Sequence, residues 1–186
     1  MIRLLHAGER VQLIDGTIVY DTEETAPLPA HGATQVKLGA VLDPFHRRAG
    51  GSRGPGGWWL MTEVDVEYRR TSQVYRHDVL GLRRETCPEL PDAFPLRVRP
   101  DWVCEILSPR TAKNDVGLKR RTLHAHGVPH YWLIHPQDQT LTVLRWTEAG
   151  YLHVLGAGVG DRVRAEPFDA IELSVGELFG HEEPSE

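Results

Sequence analysis

Glu105 stands in the middle of PDWVCEILSP, the run from Pro100 to Pro109, which otherwise reads as a buried β-strand. Side chains alternate along a strand, so Trp102, Cys104 and Ile106 share one face and Val103, Glu105 and Leu107 the other. An ionised carboxylate is seldom buried unless it is paired, hydrogen-bonded or bound to metal, so Glu105 belongs either to a site or beside a cation. A second acid, Asp78 in YRHDVLGL, lies 27 residues earlier on the preceding strand. If adjacent strands bring the two together, their repulsion raises one pKa unless a divalent cation neutralises both. A hard ion such as Mg²⁺ takes one or two carboxylates, keeps several waters and binds substrate phosphate, an arrangement suited to phosphodiester cleavage. The Ile106 carbonyl is a further candidate ligand, and Glu63 is either a third acid near such a metal or a charge on a strand face. A nearby lysine would orient the attacking water or stabilise charge developing on phosphorus. Lys119, four residues after Asp115, is the candidate, with Lys113, Arg120 and Arg121 as rivals for phosphate contacts. The same i, i+4 spacing equally describes an ordinary acid–base pair on an exposed helix. For Asp78 and Glu105 the competing reading is a salt bridge to a strand arginine such as Arg76 or Arg83.

The elements that must position these residues are legible as alternating apolar runs and turn signals. Val11 to Ile14 and Ile18 to Tyr20 flank Asp15-Gly16, a hairpin signal at the start of the chain. His31 to Arg48 reads as a helix with Val36, Leu38, Val41, Leu42 and Phe45 on its apolar side, and Pro44 is expected to kink it or end it early. The glycine-rich GGSRGPGG, Gly50 to Gly57, lacks the Lys-Ser/Thr ending and following helix of a phosphate-binding loop. Strands are expected over Trp58 to Tyr68, with Glu63, Asp65 and Glu67 on one face, then over Val74 to Leu82 and Trp102 to Leu107. A helix from about Thr111 to His126 follows, started with help from Ser108 and closed by Gly127 as a left-handed cap before Val128-Pro129. Strands His130 to Ile134 and Thr140 to Trp146 come next, then short strands over Gly150 to Leu173 and a last helical turn near Val175 to Phe179. Strand, helix, strand in that order implies a right-handed crossover within a mixed sheet. The expected fold is thus mixed α/β, a central mixed β-sheet flanked by helices with an N-terminal β-hairpin, and residues 1–186 form a single domain.

Composition excludes several classes. No apolar run reaches the roughly 18 residues of a membrane span, and MIRLLHAGERVQL lacks a signal peptide's apolar region, so a cytoplasmic location is expected. Two cysteines, Cys87 and Cys104, make neither a disulfide framework nor a four-thiolate zinc site. The net charge of −5 argues against a generic nucleic-acid binder, yet Arg69 to Arg121 holds twelve Lys/Arg against seven Asp/Glu. That local excess surrounds Asp78 and Glu105 and suits a polyanionic substrate, or else reflects solubilising arginines on strand faces.

The order and spacing of PDWVCEILSP, of Asp115 with Lys119, and of HAHGVPHYWLIHP resemble the Uma-two family of restriction-endonuclease-like proteins, a branch of the PD-(D/E)xK nuclease superfamily. The likeness also covers the LIDG hairpin, the helix near His31 and the strand with Asp78. It implies a restriction-endonuclease-like sheet, with Asp78 and Glu105 as metal-binding acids, Lys119 as a lysine displaced onto the following helix, and His31 as a helix-start histidine in support. It further implies a Mg²⁺- or Mn²⁺-dependent endonuclease acting on DNA, with a homodimer suited to cutting two strands. The chain departs from that pattern where His77 replaces a proline, His130 an acid and His135 an aspartate, and where Gln12 stands in place of a glutamate. These departures point to an alternative, a catalytically inactive nuclease-like interaction protein. A third reading, zinc held by His124, His126, His130 and His135, has poor geometry, since residues two apart on a helix face different directions. Ser108 lacks a nucleophile elbow, and Trp58, Trp59, Trp102, Trp132 and Trp146 read as core or interface residues.

Overall fold

A computed structural model describes residues 11–20, 28–47, 55–108 and 115–181. The Asp15-Gly16 turn joins β1 (Val11–Ile14) to β2 (Thr17–Tyr20), with Asp15 and Gly16 both at positive φ as such a turn requires. Helix α1 (Pro29–His46) opens with proline in its first turn and runs two residues past Pro44. Pro44 does not terminate it early, because in the final turn only one backbone bond, to the Ala40 carbonyl, is forgone. Leu38, Leu42 and Phe45 are buried at i, i+4, i+7 spacing, whereas Val36, expected on that stripe, is 73% exposed because it falls two residues off it.

The sheet then builds through β3 (Trp58–Tyr68), β4 (Gln73–Arg83), β5 (Trp102–Ile106), β6 (His130–His135), β7 (Thr140–Thr147) and β8 (Gly150–Gly158). Its order is β2-β1-β4-β5-β6-β7-β8, with β3 pairing β4 from the other side. Among the described strands only β5 and β6 pair in parallel; a connection containing a π-helical turn (Asp115–Lys119) and α2 (Arg120–Ala125) lies between them in the chain. The expected start of this helix, with the capping role of Ser108, lies outside the described residues. At its end Gly127 takes φ +67, and Val128 N–H bonds the Leu123 carbonyl while Gly127 N–H bonds that of His124, a Schellman cap with Leu123 and Val128 both buried. The region expected to hold only short strands contains the nine-residue β8, followed by a small ladder of β9 (Arg162–Val163) with β10 (Leu173–Ser174) and a 3₁₀ turn at Val175–Phe179.

Two apolar layers cover the sheet. On one face α1, through Phe45, and the C-terminal turn pack on Trp58, Trp102, Trp132 and Phe168; on the other, Leu123 of α2 packs with Tyr68, Tyr75, Leu80, Val103 and Tyr131. Gly81 lies between Trp58 and Trp102, where an added Cβ would sit 3.0 Å from the Trp58 ring. No described helix is long and apolar enough to cross a membrane.

Candidate metal centre and the buried acid beside it

The centre forms where β4 changes neighbours. One edge of β4 pairs with β1 at Val74 and with β5 only from Val79 to Gly81, so residues between them face a gap in the ladder. Asp78 occupies that gap. Its Oδ2 accepts the Ile106 N–H at 2.6 Å, so a side-chain carboxylate stands where a strand carbonyl would otherwise bond. Opposite Asp78, Glu63 of β3 takes φ +56, a strained conformation for a residue with a side chain. Alternation reverses there. Trp58 and Leu60 face α1 while Val64, Val66 and Tyr68 face α2, and β4 switches in step, with Tyr75 facing α2 and Val79 facing α1. Past the break Asp65 and Glu67 alternate with Val64, Val66 and Tyr68 and so lie on the α1 side, the side on which Glu63 meets His31; Glu63 is exposed at the break and Asp65 is buried against Arg76 at 2.7 Å.

His31, near the start of α1, approaches this break. Its Nε2 lies 3.4 Å from Asp78 Oδ1, and donor atoms of His31, Glu63 and Asp78 all fall within 4.8 Å of one another. Gln35, one turn along the same helix face, donates from Nε2 to the Asp78 carbonyl at 2.7 Å and to Glu63 Oε1 at 3.2 Å, tying the two acidic positions together. Burial alone would lower the pKa of His31, but its hydrogen bond to Asp78, the charges of Asp78 and Glu63, and the Ile106 carbonyl together raise it. The corner is thus an electronegative pocket that favours the protonated form of the imidazole. Its side chains reach solvent, with His31 12% and Asp78 18% exposed.

Glu105 is placed differently. It is 1% exposed and lies among the α2-side residues, outside the group of three. Lys119 Nζ donates to its Oε2 at 3.0 Å and to the Arg76 carbonyl at 3.1 Å. Lys119 is itself buried, so the exposed-helix reading of this lysine does not hold, and Glu105 pairs with it. Arg76 serves Asp65, and Arg83 stacks on Trp58 at 4.5 Å. The other Glu105 oxygen, Oε1, lies 2.5 Å from Nδ1 of the fully buried His77, whose Nε2 is 2.7 Å from the Tyr68 hydroxyl. Sequence reasoning singles out Asp78, Glu105 and Lys119 but treats His77 only as a missing proline. The available signal was alternation, which sets His77 on the side opposite its neighbour Asp78. The Asp115 side chain and Lys113 lie outside the described residues.

The basic excess around the site is largely engaged. Arg84 lies over Trp59 at 3.4 Å, Arg97 and Arg69 bracket Glu67, and Arg70 and Arg99 donate to carbonyls at the end of α2. Arg120 and Arg121 are exposed on α2. The four clustered histidines go separate ways: His124 stacks on Trp146, His126 meets Thr71, His130 starts β6, and His135 sits near Asp138. Among the described residues they form no metal-binding group.

The class is a mixed α/β fold, a central mixed sheet flanked by helices, with one acid filling a gap in its ladder. A crystal structure of a putative nuclease from Anabaena variabilis is similar to it, with a TM-score of 0.74 and 21% identity over 96% of this chain and 94% of that one. The profile of the Uma-two family, described as "putative restriction endonuclease", matches residues 1–176, and the chain belongs to that family. No curated protein matches it.

Proposed function

We propose that the protein is a divalent-metal-dependent endonuclease that hydrolyses phosphodiester bonds of DNA, working as a cytoplasmic homodimer. The observation that carries this reading is the convergence of His31, Glu63 and Asp78 within 4.8 Å at a solvent-reaching corner of the sheet. The two carboxylates suit a hard cation, Mg²⁺ or Mn²⁺, and the imidazole, a nitrogen donor that Mg²⁺ seldom takes, favours Mn²⁺. A cation held there supplies charge stabilisation to the nonbridging phosphate oxygens during in-line displacement. Asp78, fixed by the Ile106 N–H, is the anchoring ligand; His31 must give up its proton to join it, and Gln35 holds Glu63 in reach. Lys119 reaches the attacked phosphate only by leaving its buried pair with Glu105, and the exposed Arg120 and Arg121 supply contacts along the strand.

The test is incubation of plasmid DNA, and of RNA in parallel, with wild type and Asp78→Asn in Mg²⁺ or Mn²⁺. Nicked or linear DNA from wild type alone is the expected result. Intact nucleic acid throughout, from folded protein, would overturn the reading. One observation favours a second reading, a nuclease-like interaction protein: both oxygens of Glu105 are already bonded inside the protein. It predicts metal binding without cleavage.

A further inference from the structure

An open cavity of about 420 Å³ lies where β5 and β6 begin, lined by Arg99, Gly127, Pro129, His130, Arg145 and Trp146. His130 pairs with Trp102 at the start of β5, whereas the Ile106 N–H that holds Asp78 lies at the other end of that strand, about 13 Å away at the usual rise per residue. The cavity is therefore separate from the metal corner, and its own side chains set what it can hold. Arg145 sits beside His130 across β6 and β7. Its Nε donates to Glu166 at 2.7 Å, which fixes the guanidinium and leaves both terminal nitrogens without a partner among the described residues. Arg99 is half-exposed and held in a similar way, with Nη1 on the Gly127 carbonyl at 3.0 Å and Nη2 near Asp101 at 3.4 Å. The two acids offset the charge of the arginines, so the cavity is not a diffuse cationic patch. It offers N–H groups in fixed directions, which suit an acceptor of paired hydrogen bonds such as phosphate.

His130 adds a third donor. Its Nδ1 is buried with no partner among the described residues, while Nε2, equally unpaired, reaches solvent. Burial lowers the pKa of this ring, with the charges of Arg83 and Arg145 adding to the effect and those of Glu166 and Asp101 opposing it. A buried N–H without a partner is rarer than a bare acceptor, so the single proton of the neutral ring belongs on Nε2. Trp146 supplies a flat wall. Its ring stacks on His124 at 5.6 Å and its Nε1 donates to the His124 carbonyl at 2.9 Å, so its orientation is fixed, yet 37% of the residue stays exposed. An indole held open beside two fixed guanidinium groups matches a ligand that joins a planar ring to an anion.

We propose that this cavity binds a single nucleotide, with the phosphate on Arg99, Arg145 and His130 and the base on the Trp146 ring. Its volume suits a ligand of that size. The proposal goes beyond the nuclease reading and does not depend on it. Free nucleotide and the phosphorylated end of a strand present the same chemistry to these side chains.

Calorimetry in EDTA, which keeps a cation from bridging phosphate to the metal corner, tests the proposal with deoxyadenosine monophosphate as the probe, since a purine presents the larger stacking face. Saturable binding at one site is expected. Affinity should fall at least about tenfold for deoxyadenosine and in Arg145→Met, as for other lost charge-assisted hydrogen bonds. It should fall about tenfold in Trp146→Leu and recover in Trp146→Phe, which restores the stacking ring. Asp78→Asn should bind as wild type does. A tetranucleotide with a phosphorylated end that binds more tightly than the monophosphate identifies a strand end as the ligand; equal or weaker binding identifies the free nucleotide. Absence of binding by both probes would overturn the proposal, as would equal affinity for deoxyadenosine and its monophosphate, unchanged affinity in Trp146→Leu, or binding lost in Asp78→Asn and kept in Arg145→Met. If Arg145→Met does not fold, the comparison with deoxyadenosine on wild type decides.

Discussion

Residues 77 and 78 are neighbours on one strand, yet they serve two opposite kinds of polar site. Toward α1, Asp78 joins Glu63 and His31 in a corner that reaches solvent and concentrates negative charge. Toward α2, His77 joins Glu105, Lys119 and Tyr68 in a sealed network where the acid has a donor on each oxygen. The first arrangement attracts a cation; the second already contains one. A buried carboxylate in the sequence therefore signals a site without saying which kind, and the partners facing it decide.

The sharpest way to break the comparison is to remove the internal cation. Lys119→Met strands Glu105 in a buried setting, and the protein should lose about 3–5 kcal/mol in urea unfolding, the usual cost of breaking one side of a buried pair. A change below 1 kcal/mol would mean that the network relaxes or hydrates. The open corner should respond through binding instead. Gln35→Leu removes the link between Glu63 and the Asp78 carbonyl, and manganese affinity should drop about tenfold, as for other lost outer-shell partners, while stability changes little.

A smaller, graded effect separates the two histidines by sign. His77 has a lowered pKa, so as pH falls below 6.5 the unfolded chain takes up a proton that the native ring refuses, and stability declines until the native value is reached. His31 has a raised pKa, so its contribution is present below 6.5 and disappears as pH rises through that higher value. Because metal must displace the His31 proton, manganese affinity should rise with pH across the same window, by up to about tenfold per unit. Thermal unfolding and calorimetry above and below that range would show the opposed slopes; affinity independent of pH would remove His31 from the ligand set.

Much of this arrangement is legible in the chain, for local reasons. The Asp15-Gly16 hairpin, the Gly127 cap and the strands carrying Asp78 and Glu105 follow from turn chemistry and short-range periodicity. The failures share a cause as well. Glu63 breaks alternation at a backbone conformation that sequence patterns do not predict for glutamate, so the third member of the corner is visible only as a strand-face charge. His77 and Lys119 look like a lost proline and an exposed helical lysine until the gap in the β4 ladder brings them to Glu105. Gln35 carried no signal beyond its spacing from His31.

The central claim is that the α1-side corner, and not the sealed network, takes the metal. Calorimetric titration of Mn²⁺ into wild type, Asp78→Asn and Glu105→Gln tests it directly. One site in wild type, lost in Asp78→Asn by more than about 100-fold and retained in Glu105→Gln, is the expected pattern, since removing a ligand exceeds the loss from an outer-shell change. Binding that survives Asp78→Asn, or that vanishes with Glu105→Gln in a folded protein, would contradict it.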